Sequence, residues 1–323
     1  MVHRMTFDTA LALLCATIAG STQARAETPV TLTIYAAGTL AAPFRQIDAA
    51  FQKQYPDVVI HAQYGGSVMM ARRITDLHQN ADVLAVADYS VIPKYLFGAG
   101  EKTGYADWYA GFAQNAITFV YTEKSRFSKE VSSKNWYDYL TKPGVQIGRS
   151  NPDTDPSGYQ TLQMLSLAET YYHSPGLEAK VLANAPPENM RDTETDLLAA
   201  LQLGQIDYLA IYRSDALQHR LKYLELPANI NLSDPIDAAT YATAVAHTKN
   251  GDVAGKPIVY AVTIPGNADH SDWAQRYVAF LLSPAGQEIM AENGFGTVSP
   301  AYAANVDKMP ESIRSMVKPW PSN

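Results

Sequence analysis

The sequence lacks the residues that most metal sites, disulfides and hydrolytic active sites require. Cys15 is the only cysteine among 323 residues, which excludes a disulfide within the chain and a cysteine-based zinc site. The histidines are scattered without the spacing of metal ligands. No nucleophile elbow, phosphate-binding P-loop or His-Glu-x-x-His motif occurs. These absences leave few catalytic alternatives, and we predict that the protein is not an enzyme.

Positive charge is also scarce. The chain carries 25 basic and 32 acidic residues, a formal net charge of −7. This balance argues against binding nucleic acid or an anionic membrane through the whole surface. It does not exclude one small anion held in a pocket. Apolar residues make up 47% of the chain and charged residues 18%, which is typical of a globular protein.

The N-terminus has the pattern of a secretory signal peptide. Arg4 precedes a short apolar run over 11–19, and Ala24 and Ala26 are the small residues that a signal peptidase recognises. We predict that residues 1–26 are removed and that the protein is periplasmic. A core helix at the start of the chain is the alternative. No later apolar run is long enough to span a membrane.

The rest of the chain alternates predicted strands and helices. Strands are predicted at 30–35, 58–60 and 82–86, and each of the two intervening segments has one apolar helical face. The apolar positions are Leu40, Phe44, Ile47 and Phe51 in the first helix, and Met70, Ile74 and Leu77 in the second. A βαβαβ order predicts an α/β fold with a largely parallel sheet.

A second α/β unit follows, so the length and the order of elements predict two lobes. The first would comprise 27–115 together with 257–323, and the second 116–256. Each lobe is predicted to be a mostly parallel sheet flanked by helices. Two crossings between lobes would form a hinge, and a ligand would bind in the cleft between them.

Three predicted loops place a hydroxyl side chain at the start of a helix. Thr39, Ser67 and Ser157 lie in the segments AGTL, GGSV and DPSG. Helix N-termini offer unpaired N–H groups and a positive dipole end, and hydroxyls add donors, so the three loops together predict an anion site. None of the segments contains lysine or arginine. Ordinary helix capping is the alternative for each loop.

An ordered set of segments resembles a known family. They are AAGTLAAPF, GGSVMMARR, ADVLAVADYSVIP, NPDTDPSGY, ETDLLAALQLGQIDYLAIYRS and GKPIVYAVTIP. This set is similar to the periplasmic molybdate/tungstate-binding proteins of ABC transporters, especially the branch best known from archaea. The resemblance implies a two-lobed type II periplasmic binding protein that delivers an oxyanion to permease subunits. It implies no cofactor, no membrane span and a monomer.

The same resemblance assigns the ligand-binding residues. The family holds its oxyanion with hydroxyls and backbone amides, which match the hydroxyls of Thr39 and Ser67 and the amide and hydroxyl of Ser157. An amide near Glu194 and the tyrosine that closes a strand, Tyr212, complete the set.

The sequence departs from the family in its carboxylates. In the archaeal branch two carboxylates bind the metal atom and raise its coordination from four to six. One matches Asp155, but the position aligned with the other is Ile211, and Asp215 is the nearby substitute. Asp155 next to a dianion must bond the metal, carry a proton or turn away to cap its helix. We therefore expect a four- or five-coordinate anion.

Three other functions stay open on the sequence alone. The ligand could be another tetrahedral oxyanion, such as sulfate, chromate or phosphate. The protein could be a secreted enzyme acting on an anionic substrate, although no nucleophile–base pair is visible. It could also sense a ligand on behalf of a membrane receptor.

Overall fold

The chain folds around two separate β-sheets, and the computed structural model describes residues 29–98 and 104–320. The predicted signal peptide lies outside these residues. The strands are β1 (Val30–Ala37), β2 (Val58–Gly65), β3 (Val83–Val86), β4 (Tyr109–Gln114), β5 (Ile117–Tyr121), β6 (Ile147–Ser150), β7 (Met190–Arg191), β8 (Tyr208–Tyr212), β9 (Lys222–Tyr223), β10 (Val245–Thr248), β11 (Gly251–Ala254), β12 (Val259–Thr263), β13 (Gly296–Ala304) and β14 (Val317–Pro319).

The helices pack on the faces of the two sheets. They are α1 (Ala41–Gln54), α2 (Ser67–Thr75), α3 (Val91–Tyr95), α4 (Trp136–Leu140), α5 (Pro156–Tyr171), α6 (Leu177–Ala183), α7 (Leu198–Leu203), α8 (Arg213–Gln218), α9 (Ala228–Asn231), α10 (Ala238–Tyr241), α11 (Ser271–Leu282), α12 (Pro284–Glu292) and α13 (Glu311–Arg314). Short 3₁₀ turns at Gly38–Leu40 and Glu194–Leu197 precede α1 and α7. No helix in the described part of the chain is long and apolar enough to cross a membrane.

The two sheets define two bodies, which we call the first and second lobes. The first lobe has seven strands in the order β14-β13-β4-β12-β3-β1-β2, and the second has five in the order β7-β6-β8-β5-β9. The hairpin β10–β11 packs on α5 of the second lobe, where Gln163 Nε2 donates to the Val253 carbonyl at 2.8 Å.

Both sheets are mixed, which corrects the prediction of mostly parallel sheets. In the first lobe β1 pairs in parallel with β2 and β3, but β12 runs antiparallel to β3 and β4. In the second lobe β5 runs antiparallel to β8 and β9, while β6 is parallel to β7 and β8. The antiparallel strands β4, β5 and β12 flank the two crossings between the lobes. The βαβαβ order that predicted parallel pairing covers only the first three strands, so it does not apply to β4, β5 and β12.

The predicted apolar faces form the core of the first lobe. Leu40, Phe44, Ile47 and Phe51 are all fully buried. Phe51 packs edge-on against Tyr277 of α11, with ring centroids 5.3 Å apart. Leu77 is the exception, since it is 63% exposed, because α2 ends at Thr75 before reaching it.

Candidate functional site

Loops from the two lobes meet directly beyond the ends of their strands. The first lobe contributes the turn Gly38–Leu40 after β1 and Gly66 after β2. The second contributes the start of α5 and the turn Glu194–Leu197. Met69 N–H donates to the Thr154 carbonyl at 3.3 Å across the junction. The predicted loops therefore come together between the lobes, as expected for a ligand cleft.

Two glycines allow this close approach. A Cβ atom on Gly66 would lie 2.5 Å from the Thr154 carbonyl oxygen and 3.0 Å from that of Asp192, both in the second lobe. A Cβ atom on Gly38 would lie 3.1 Å from Thr195 Oγ1. Side chains at these positions would hold the lobes apart.

Two carboxyl groups are buried where the loops meet. Asp155 is 3% exposed and Glu194 is 2% exposed. Burial, followed by the negative charge of Glu194, raises the pKa of Asp155 well above its usual range. Burial also raises the pKa of Glu194. The two groups are neighbours that can hydrogen-bond to each other when they share a proton.

Polar atoms without protein partners surround this pair. Among the described residues, Oδ2 of Asp155 and Oε2 of Glu194 are buried and have no hydrogen-bond partner, and the same is true of the hydroxyls of Ser150 and Ser157. Ser150 neighbours the Asp155 carboxyl, and Ser157 neighbours that of Glu194. The Ser67 N–H also points toward Asp155. Buried polar groups are normally paired, so this cluster is a candidate binding site for a polar ligand.

Ser67 and Thr39 have partners of their own. Ser67 Oγ accepts the Ala87 N–H at 2.9 Å, which leaves its hydroxyl hydrogen free to donate. Thr39 Oγ1 lies 2.9 Å from the hydroxyl of Tyr260, and both residues are buried. Tyr260 also accepts from Asn115 at 3.3 Å, so Thr39 belongs to a network beside the first crossing between lobes.

Tyr212 lies near the carboxyl pair, but its hydroxyl is occupied. The hydroxyl donates to Gln160 Oε1 at 2.7 Å, and its ring packs edge-on against Tyr260 at 5.8 Å. Burial, then the hydroxyl of Tyr260 and the charges of Asp155 and Glu194, raise the pKa of Tyr212 well above its usual range. The structure thus places Tyr212 near the pair, with its hydroxyl bonded to Gln160 of α5.

None of the three loop hydroxyls caps a helix through its side chain. Asp155 occupies the N-cap position of α5, but it makes no capping hydrogen bond. The cap residue of α2 is Gly66, and the turn Gly38–Leu40 also has no side-chain cap. The capping alternative therefore does not account for the hydroxyls of Thr39, Ser67 and Ser157 or for the Asp155 carboxyl.

Ile211 and Asp215, the two positions considered for a second carboxylate, have different surroundings. Ile211 is fully buried in an apolar cluster with Leu197 and Leu201. Asp215 is 1% exposed and lies beside a cavity of about 490 Å³ at the mouth of the cleft. Burial and the charge of Glu194 raise the pKa of Asp215 well above its usual range. Glu194 itself is the carboxylate that neighbours Asp155.

The arrangement does not suit a bare metal cation. Within residues 29–98 and 104–320, no cluster of three or more histidine, cysteine, aspartate or glutamate side chains is arranged to hold a metal ion. The neighbours of the two carboxyls include the Ser150 and Ser157 hydroxyls and the Ser67 N–H.

A sequence profile of the bacterial extracellular solute-binding proteins matches residues 32–296. The chain belongs to this family. A solute-binding protein of Petrotoga mobilis is 41% identical over 89% of this chain and 90% of its own length. The molybdate/tungstate-binding protein WtpA of Pyrococcus abyssi is 35% identical over 89% of this chain and 90% of its own length. The family inferred from the sequence motifs is confirmed.

Solved structures show the same fold at low identity. The periplasmic molybdate-binding protein of Azotobacter vinelandii covers 83% of this chain and 99% of its own, with a TM-score of 0.61 and 17% identity. The sulfate-binding protein SubI of Mycobacterium tuberculosis covers 83% of this chain and 87% of its own, with a TM-score of 0.58 and 15% identity. The predicted class, a two-lobed type II periplasmic binding protein, is confirmed.

Two features of the site were not predicted from the sequence. It assigned Glu194 only a backbone amide, although the carboxyl group of this residue is buried beside Asp155. It gave Ser150 no role. The sequence signal for Glu194 was its place at the start of a helical turn in Thr-Glu-Thr-Asp, where acidic residues are common and usually exposed.

Proposed function

We propose that this protein captures molybdate or tungstate outside the cytoplasm and delivers it to an ABC permease. The family assignment supports solute binding, and the name of the Pyrococcus abyssi relative supports this ligand. Loops of both lobes line the cleft, so lobe closure would bury the anion, and the permease would recognise the closed form.

The observation that carries the proposal is the buried carboxyl pair among hydroxyls without partners. One carboxylate about 4 Å from a single negative charge costs on the order of 4 kcal/mol at an effective dielectric constant near 20, and a dianion costs more. When ionised, Asp155 and Glu194 would repel sulfate or phosphate. They fit an oxyanion whose central metal atom accepts further oxygen ligands.

The presence of two carboxyl groups, on Asp155 and Glu194, changes the expected coordination of the anion. Because Ile211 occupies the position aligned with the second carboxylate of the archaeal branch, the sequence predicted four or five ligands around the metal atom. Glu194 supplies a carboxylate from another element, the turn Glu194–Leu197, beside Asp155. We therefore propose that Asp155 and Glu194 both bind the metal atom, which would be six-coordinate, while Ser67, Ser150 and Ser157 donate to its oxygens.

The remaining predictions are consistent with this role. We propose that residues 1–26 direct export to the periplasm and are removed. We also propose lobe boundaries at 115/116 and 256/257, which the division of β4, β5 and β12 between the sheets supports. The protein would act as a monomer, without catalysis and without a cofactor other than the transported anion.

A thermal-shift and calorimetry panel of molybdate, tungstate, sulfate, chromate and phosphate tests the ligand. A ligand that binds only the folded state stabilises it by about 4 kcal/mol at a thousandfold excess over Kd. We expect molybdate and tungstate to raise the melting temperature. Stabilisation by sulfate or phosphate, with none by molybdate or tungstate, would show that the proposed ligand is wrong.

Glu194→Gln tests the carboxyl pair in the same panel. We expect molybdate and tungstate affinity to fall at least tenfold, because the amide is a poor ligand for the metal atom. Glu188→Gln is the matched control, since Glu188 is exposed on a neighbouring turn. X-ray absorption of the bound metal should report six oxygen ligands. A tetrahedral spectrum, or tighter binding by Glu194→Gln, would contradict the carboxylate assignment.

A further inference from the structure

A second buried contact joins the lobes outside the candidate site. Asp88 follows β3 in the first lobe and is 1% exposed. Tyr159 lies on α5 of the second lobe and is 4% exposed. The Tyr159 hydroxyl donates to Asp88 Oδ2 at 2.7 Å. A buried hydrogen bond to a charged group is among the stronger single contacts in a protein.

Other donors fix the Asp88 carboxylate in place. Lys256 Nζ lies 3.1 Å from Asp88 Oδ2 and donates to Ser90 Oγ at 2.6 Å. The backbone N–H and the hydroxyl of Ser90 donate to Asp88 Oδ1 at 2.8 and 2.9 Å. Lys256 precedes β12, close to the return crossing between the lobes. Ser90 and Lys256 thus hold the Asp88 carboxylate in position independently of Tyr159.

Both partners are linked to the candidate site through the backbone. Tyr159 lies one helical turn after Asp155 on α5. Asp88 directly follows Ala87, whose N–H donates to Ser67 Oγ. Movement of α5 away from the first lobe would therefore break the Asp88–Tyr159 hydrogen bond and open the candidate site at the same time.

We propose that Asp88 and Tyr159, with Ser90 and Lys256, form a latch that holds the two lobes closed and slows release of the bound anion. They are positioning residues, since the hydroxyl of Tyr159 is bonded to Asp88 rather than to the carboxyl pair. The inference rests on the proposed function only for the identity of the anion. A contact made only in the closed form raises apparent affinity by shifting the population toward that form.

Tyr159→Phe tests the latch, with Tyr208→Phe as the matched control. Tyr208 is also fully buried and its hydroxyl donates to the Arg126 carbonyl, but that bond lies within the second lobe. Stopped-flow release of molybdate or tungstate should be about 10- to 100-fold faster in Tyr159→Phe than in the wild type. Tyr208→Phe should release the anion at the wild-type rate.

A distance measurement follows closure directly. Spin labels on cysteines replacing the exposed residues Lys53 and Leu203 report the separation of the lobes, and the chain from residue 27 onward contains no other cysteine. Tyr159→Phe should move the distance distribution toward longer values, with or without anion.

Asp88→Asn is a second variant for the release experiment. It keeps an acceptor for the Tyr159 hydroxyl but removes the negative charge, and it should also accelerate release of the anion.

The two hypotheses fail differently. If the wild type binds molybdate or tungstate and Tyr159→Phe releases it no faster than Tyr208→Phe, the latch is refuted and the proposed function stands. If the wild type binds neither anion, the proposed function fails. The spin-label distances of the ligand-free proteins then test the latch on their own. Identical distance distributions in Tyr159→Phe and the wild type would refute it.

Discussion

Single hydroxyl groups in the cleft differ in what they do without ligand. The Ser157 hydroxyl has no partner in the described part of the chain, whereas Ser67 Oγ accepts the Ala87 N–H. Removing Ser157 Oγ leaves no protein group unpaired. Removing Ser67 Oγ leaves a buried N–H without an acceptor, which costs about 1–3 kcal/mol.

We therefore expect Ser157→Ala and Ser67→Ala to separate binding from folding. Each should weaken anion binding by roughly 1.5–3 kcal/mol, the range for a hydrogen bond to a charged group. Only Ser67→Ala should also lower the free energy of unfolding of the ligand-free protein. Calorimetry and chemical denaturation measure the two effects. Unchanged affinity in Ser157→Ala would place its hydroxyl outside the binding site.

The residues of the site also differ in how well their local sequence predicts them. Thr39, Ser67 and Ser157 were found because hydroxyls among glycines at helix starts are a local pattern. The carboxyl of Glu194 was missed because its burial depends on Asp155, which another element supplies. A local pattern does not contain that contact.

Among the elements, α1 and α11 are joined by a buried acid. Asp48 of α1 accepts the Tyr277 hydroxyl of α11 at 2.7 Å. Burial raises the pKa of Asp48 from 3.8 to about 6, and the hydrogen bond from Tyr277 only partly opposes this. The folded state therefore binds more protons than the unfolded state between about pH 4 and pH 6, so the Asp48 contribution to stability is lost as pH rises through this window.

Asp48→Asn should remove this pH dependence. Asparagine keeps an acceptor for Tyr277 but does not ionise, so at pH 7.5 the variant should be more stable than the wild type by roughly 3 kcal/mol, at 1.36 kcal/mol per pKa unit. Below pH 4 the two should converge. Chemical denaturation from pH 4 to 7.5 measures the difference, with the exposed Asp57→Asn as control. A constant difference across that range would rule out Asp48 as the source.

Elements with a local apolar pattern were easier to predict than elements without one, for a physical reason. The spacing of apolar residues marks α1 because these residues all lie on one face of the helix, and Gly204, with a φ of 78°, ends α7. The strands β4, β13 and β14 carry no such local pattern. They are stabilised by pairing with distant strands, as in the β13–β4 register from Gly296–Gln114 to Ala304–Tyr109.

For the whole molecule, closure depends on contacts that tolerate no added volume. Gly66 has a φ of −58°, so alanine suits its backbone. A methyl group there would still lie 2.5 Å from the Thr154 carbonyl oxygen of the opposite lobe.

We expect Gly66→Ala to weaken anion binding at least tenfold while leaving the ligand-free stability nearly unchanged, because the lobes can open to relieve the clash. Gly266→Ala is the control, since the nearest atom to its Cβ lies at 3.6 Å. Titration calorimetry and thermal unfolding of both variants test this. Wild-type affinity in Gly66→Ala would mean that the ligand-bound lobes do not approach as closely as described.

The strand order of the first sheet also constrains how the chain assembles as it emerges from its N-terminus into the compartment where it folds. β3 and β4 are consecutive strands in the sequence, yet β12 lies between them. Before Val259 emerges, β3 therefore has an unpaired edge, and β4 has no partner strand, because its other neighbour, β13, comes later still. The strands of the second sheet are all present by Tyr223. The second lobe can complete its sheet first, and the first lobe becomes whole only when the last fifth of the chain has emerged.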